Sequence, residues 1–80
     1  MRAIVFSPSA QRQWGKLPAD IRMRLRTRLR ELAASGSGDL KRLKGREGTR
    51  LRVGDWRIIL FVTADEIQVT AVGHRREIYD

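Results

Sequence analysis

The apolar positions change their period partway along the chain, and that change divides it into helical and extended parts. Arg2 to Phe6 is a short apolar run that stops at Ser7-Pro8-Ser9. This predicts a strand followed by a helix, with Ser7 as N-cap and proline at the first helical position. Ala10, Trp14 and Leu17 then share one helix face. Pro18-Ala19-Asp20 predicts a second helix start, with an early acidic residue at its positive end. From Ile21 to Arg30 two periods compete. Ile21, Met23, Leu25 and Leu29 sit at odd positions as in a half-buried strand, while Leu17, Ile21, Leu25, Leu29 and Leu32 recur at helical spacing. Helix is preferred, because the pattern runs on through Leu32-Ala33-Ala34 and Leu, Arg, Met and Ala are good helix formers. Ser35-Gly36-Ser37-Gly38 ends it.

After a loop from Ser35 to about Gly48, strand signals dominate: Thr49 to Val53, a Gly54-Asp55 turn, Trp56 to Val62, a turn over Thr63 to Glu66, then Ile67 to Val72. A two-residue turn beginning with Gly sets the hairpin register. Val53 then opposes Trp56, Arg52 opposes Arg57, Leu51 opposes Ile58 and Arg50 opposes Ile59. Alternation puts Leu51, Val53, Trp56, Ile58, Leu60 and Val62 on the face that the helices cover. Arg50, Arg52, Arg57, Ile59 and Phe61 fall on the other, uncovered face. The predicted fold is α+β: an N-terminal strand, a helical hairpin, then an antiparallel three-stranded meander, as one domain over residues 1–80.

Size and charge narrow the function. A domain this small buries only about 60% of the surface its unfolded chain exposes, so a partner covering apolar surface would add stability. No apolar run approaches the roughly 20 residues of a membrane span, and the N-terminal run is too short for a signal-peptide core, so the chain is expected in the cytoplasm, away from membranes. There is no cysteine and one histidine, His74. Neither a metal nor any other cofactor is expected. Seventeen Lys and Arg against nine Asp and Glu give +8, which points to a polyanionic partner. The surplus is regional: Lys41, Arg42, Lys44, Arg46, Arg50, Arg52 and Arg57 face only Glu47 and Asp55 between residues 41 and 57.

Opposed arginines repel, at a cost that a purely structural surface tends to avoid and a bound anion removes. Pairing with Glu47 and Asp55, or splaying into water, is the alternative. Ile59 and Phe61 beside these cations suit stacked bases or a partner segment. The string His74-Arg75-Arg76-Glu77-Ile78-Tyr79 brings further cations and a phenol to the same end of the domain.

Three motifs join these pieces: Leu43-Lys44-Gly45; Arg50-Leu51-Arg52-Val53-Gly54-Asp55-Trp56-Arg57; and Gly73-His74-Arg75-Arg76-Glu77-Ile78-Tyr79. Together they resemble the RelE branch of the RelE/ParE toxin superfamily, over nearly the whole chain. The resemblance implies a toxin of a type II toxin-antitoxin system. Its expected activity is a ribosome-dependent, metal-independent mRNA endoribonuclease that inhibits translation, and its expected partners are the ribosome, mRNA and a cognate acidic antitoxin. It implies catalytic roles for Arg50, near the attacking 2′-hydroxyl, for Arg57 and Arg75 as phosphate-gripping groups, and for Tyr79 as an aromatic orienting the substrate. Lys41, Lys44, Arg52 and His74 are expected to contact RNA around them. The antitoxin is expected to pack near Ile59 or Phe61, or against the helix bearing Arg22, Arg26 and Arg30.

This chain has Arg50 where some relatives have a lysine, and Trp56 in place of the commoner tyrosine. Arginine does not lose its proton, so the general base stays open, with Asp39 and Glu47 both possible. Two other functions fit the same fold: a ParE-type inhibitor of DNA gyrase, acting by protein contact, and an RNA-binding module without catalysis.

Overall fold

The computed structural model describes residues 1–78. Strand β1 (Ala3–Phe6) leads into helices α1 (Pro8–Gly15) and α2 (Ala19–Ser35), followed by strands β2 (Leu40–Arg42), β3 (Thr49–Val53), β4 (Trp56–Val62) and β5 (Glu66–His74). All five strands form one sheet in the order β1-β5-β4-β3-β2. The expected α+β order is therefore present.

Local chemistry sets the helix ends. The Ser7 hydroxyl accepts a hydrogen bond from the Ala10 N–H at 3.1 Å, with Pro8 in the first turn. At the other end of α2, Gly36 adopts φ 75° and its N–H returns to the Leu32 carbonyl, a left-handed cap that favours glycine. Helix prevails between Ile21 and Arg30 because it turns Leu25, Leu29, Leu32 and Ala33 inward together. They meet Leu51, Val53, Ile58, Leu60, Ile67, Val69 and Val72 in one core, which Ala10 and Leu17 of the α1 region complete.

The β3–β4 hairpin has the expected register throughout, from Val53↔Trp56 to Arg50↔Ile59. Gly54 has φ 60°, and no non-glycine residue among those described has positive φ, which is the pattern of a type II′ turn.

Three features contradict or go beyond the sequence expectation. First, the loop between Ser35 and Gly48 contains strand β2, which pairs antiparallel with β3 through Leu40↔Leu51 and Lys41↔Arg50. Three residues are too few to show a period, so their pairing is fixed by β3 rather than by their own pattern. Second, β1 lies parallel to β5, Ala3↔Glu66 to Phe6↔Val69, a contact between segments some sixty residues apart. Beyond Val69 the edge of β5 has no strand partner, and the Gln13 side chain takes over by accepting the Val72 N–H at 2.9 Å.

Third, the second face of the sheet is not bare. Ile59 is only 4% exposed, and it and Leu43 are the buried apolar residues that lie outside the main core. The 43–48 loop folds over this face at its Phe61 end: a Cβ on Gly48 would lie 3.1 Å from Leu43 Cδ1 and 3.3 Å from Phe61 Cζ. The β4–β5 ladder also slips between Ile59 and Leu60, leaving Thr70 out of the pairing, with its hydroxyl on the Ile59 carbonyl. Val62, expected on the covered face, is 44% exposed: the β3 ladder stops at Leu60, so Val62 has a strand neighbour only in β5.

Candidate nucleic-acid interface

With the Phe61 end of the second face closed, what remains open is its arginine end. Lys41, Arg50 and Ile59 lie side by side across β2, β3 and β4, and Arg52, Arg57 and Gly73 form the next row across β3, β4 and β5. Gly73, opposite Arg57, has no side chain, and the place a Cβ would take is closed by Ile78, whose Cγ1 would lie 3.1 Å from it. Arg75 enters from just beyond the end of β5.

Arg57 stands at the centre of the group. Its guanidinium is held below its ordinary range, first by partial burial and then by the charges on Arg50, Arg52 and Arg75, with Asp55 pulling the other way. It donates from Nη1 to the Gly54 carbonyl at 2.8 Å and the Trp56 carbonyl at 2.9 Å. Among the described residues it has no carboxylate partner. Its remaining N–H groups can serve an incoming anion, and a guanidinium stays charged at any physiological pH.

Two neighbouring cations are each held by an aspartate, in the same manner. Arg52 donates its backbone N–H to the Asp39 carbonyl at 3.0 Å and its Nε to the Asp39 carboxylate at 2.6 Å. Arg75 donates its backbone N–H to the Asp55 carbonyl at 2.7 Å, and its Nε lies 3.6 Å from the Asp55 carboxylate. The sequence reading allowed for pairing of the opposed arginines with Glu47 and Asp55. The structure gives Arg52 to Asp39 instead, because β2 delivers Asp39 to the edge of β3.

The structure brings together Arg50, Arg52, Arg57 and Arg75, with Lys41 paired beside Arg50. Arg50 is half-buried and its Nε is shut off from solvent. Lys44 stands on the exposed loop before β3. His74 is not part of the cluster: it pairs across the ladder with Trp56, its ring meets that indole edge-on at 5.4 Å, and its Nδ1 accepts the Arg76 N–H at 3.2 Å. Tyr79 lies outside the described residues. Sequence reading missed the lid role of Leu43 and Gly48, although the Leu43-Lys44-Gly45 motif was its signal. Among the described residues no group of His, Cys, Asp or Glu is placed to hold a metal, and no helix is long and apolar enough to cross a membrane.

On the helix side a second concavity lies between β1, α1 and α2, lined by Ile4, Phe6, Trp14 and Leu29 with Arg26 and Arg30 at its rim. Phe6 and Trp14 pack edge to face at 5.1 Å, and the Arg26 guanidinium stands 6.0 Å from the Trp14 ring.

An α+β sheet with one helical face and a cationic end on the other defines a small basic domain suited to an anionic ligand. Residues 4–79 match the family described as ParE toxin of the type II toxin-antitoxin system, parDE. Toxin RelE3 of Methanocaldococcus jannaschii is 32% identical over 83 residues, spanning 96% of this chain and 94% of its own. Among solved structures, the RelB-RelE antitoxin-toxin complex from Methanococcus jannaschii superposes with a TM-score of 0.76 at 32% identity, covering 95% of each chain. The archaeal RelE-RelB complex from Pyrococcus horikoshii OT3 gives 0.77 at 19% identity, over 96% of this chain and 98% of that one, a likeness of fold. This chain belongs to the RelE/ParE family of type II toxins, on its RelE side.

Proposed function

We propose that this toxin cleaves messenger RNA on the ribosome without a metal, and that an acidic antitoxin holds it inactive. The observation that carries the reading is the position of Arg57: three further arginines stand around a guanidinium that, among the described residues, has no carboxylate partner. Such a group costs stability unless an anion meets it, and a phosphate is the anion whose geometry a guanidinium fork matches.

In the cleavage step the 2′-oxygen bonds to phosphorus, the bond to the 5′-oxygen breaks, the 2′-hydroxyl loses its proton and the leaving oxygen gains one. Negative charge builds on the non-bridging and leaving oxygens; Arg57 and Arg50 stabilise the former, and Arg75 donates a hydrogen bond to the leaving oxygen, which takes its proton from water. Asp39 is committed to Arg52. Of the two carboxylates considered as a base, Glu47, on the exposed loop, is the one without a hydrogen bond or ion pair among the described residues. Lys41, Lys44 and Arg52 extend the track for the RNA backbone, and Tyr79 supplies the stacking surface.

For the antitoxin, burial of Ile59 removes one of the two expected docking places. The groove of Ile4, Phe6, Trp14 and Leu29 flanked by Arg26 and Arg30 fits an amphipathic segment with apolar anchors and carboxylates beside them. Relatives of this fold were crystallised with their antitoxins.

Primer extension on ribosome-bound message, with purified protein, tests the nuclease reading. Cuts within the message support it. DNA gyrase trapped on DNA with the message intact would establish the ParE-type activity instead, and neither effect would leave a binding module.

A further inference from the structure

Asp39 and Asp55 hold their arginines by the same two contacts, yet differ in how firmly the side chains are tied. The Arg52–Asp39 contact is short, at 2.6 Å, whereas Arg75 Nε stands 3.6 Å from the Asp55 carboxylate, with both side chains more than half exposed. The backbone bond from Arg75 N–H to the Asp55 carbonyl, at 2.7 Å, already fixes the end of β5 against the hairpin turn. The carboxylate is therefore not needed to position the chain. What it does is place a negative charge beside Arg75, one residue from the Gly54 carbonyl that Arg57 holds.

We propose that Asp55 is a built-in competitor for the phosphate site: its carboxylate occupies Arg75 in the free protein and gives that guanidinium up when an RNA phosphate arrives. The proposal rests on the nucleic-acid reading of the arginine cluster and names the residue that limits its affinity. Carboxylate and phosphate oxygens compete for the same guanidinium N–H groups, so whatever Asp55 gains from Arg75 is subtracted from phosphate binding. Its charge also opposes that of the three arginines around Arg57, damping the field at the centre of the site. A long, exposed ion pair exchanges readily with solvent, as a displaceable ligand must.

The test is Asp55→Asn, which keeps the backbone carbonyl and the side-chain shape while removing the charge. Two probes are titrated at several salt concentrations: tripolyphosphate, and a short single-stranded RNA made uncleavable by 2′-O-methylation. Asp55→Asn is expected to tighten both by about two- to fivefold at low salt, the scale of an exposed ion pair. The dependence on salt should steepen as more counterions are released. Asp65→Asn, which removes a charge at the turn before β5, should change neither. In an Arg75→Ala background the gain from Asp55→Asn should shrink to the smaller part that the charge on Asp55 exerts through Arg57. Unchanged or weaker binding by Asp55→Asn, or a gain undiminished by Arg75→Ala, overturns the proposal. If tripolyphosphate shows the gain while ribosome-bound message stays uncut, the competition stands and the nuclease reading falls.

Discussion

Arg52 and Arg57 face each other directly across the β3–β4 ladder, and among the described residues Arg52 is paired with a carboxylate, Asp39, while Arg57 is not. The fold thus tolerates a like-charge pair by clamping one member, and the proposed phosphate site uses the other. From this asymmetry follow specific expectations for activity and stability.

Arg57→Ala and Arg75→Ala should each reduce message cleavage by roughly two orders of magnitude or more, about 2.7 kcal/mol, the scale for one donor to a transition-state oxyanion. Arg57→Lys should not restore full rate, since an ammonium keeps the charge but loses the planar fork. Arg30→Ala, on the helix side, should leave cleavage near wild type. Single-turnover cleavage on programmed ribosomes measures all four, and intact cleavage in both Arg57→Ala and Arg75→Ala would sink the assignment.

Arg57→Gln should stabilise the free protein. A cation whose folded-state pKa is lowered destabilises the fold at every pH below that value, so the cost is fully present and constant across the physiological range. Removing it should raise Tm by about 2–4 °C at low salt, corresponding to about 0.5 kcal/mol, with the gain shrinking as salt screens the arginines. Thermal melts between low and high salt read this out. A lower Tm in the variant at low salt would refute the electrostatic account.

Asp39→Asn should do the opposite, costing about 1 kcal/mol, because it loses an ion pair and unmasks Arg52 opposite Arg57. The two substitutions share one interaction, so part of the loss should disappear in the Asp39→Asn, Arg57→Gln double variant. Strict additivity in denaturant titrations would show that Arg52 and Arg57 do not feel each other.

Gly48→Ala should destabilise by about 1–3 kcal/mol. Its φ of 117° disfavours any side chain, and a Cβ there would press on Leu43 and Phe61, the contacts that close the second face over that end of the sheet. Hydrogen exchange should report the loss first at the 43–48 loop and at Phe61. Unaltered protection there would mean that the loop is not a lid.

The sequence by itself determined whatever depends on near neighbours. Ser7-Pro8 starts α1, Gly36 ends α2, and Gly54-Asp55 fixes the hairpin register, because caps and two-residue turns are satisfied within a few residues. Once that register is set, strict alternation places Arg50, Arg52 and Arg57 on one face with no further information. Tertiary structure decided what depends on distant segments. It joined β1 to β5, recruited residues 40–42 as a strand, and buried Ile59 on the face that alternation had left uncovered. It also assigned Asp39 to Arg52, leaving Arg57 without a carboxylate partner among the described residues. Each of these brings together parts of the chain whose pairing is set by global packing and loop closure, which no local period records.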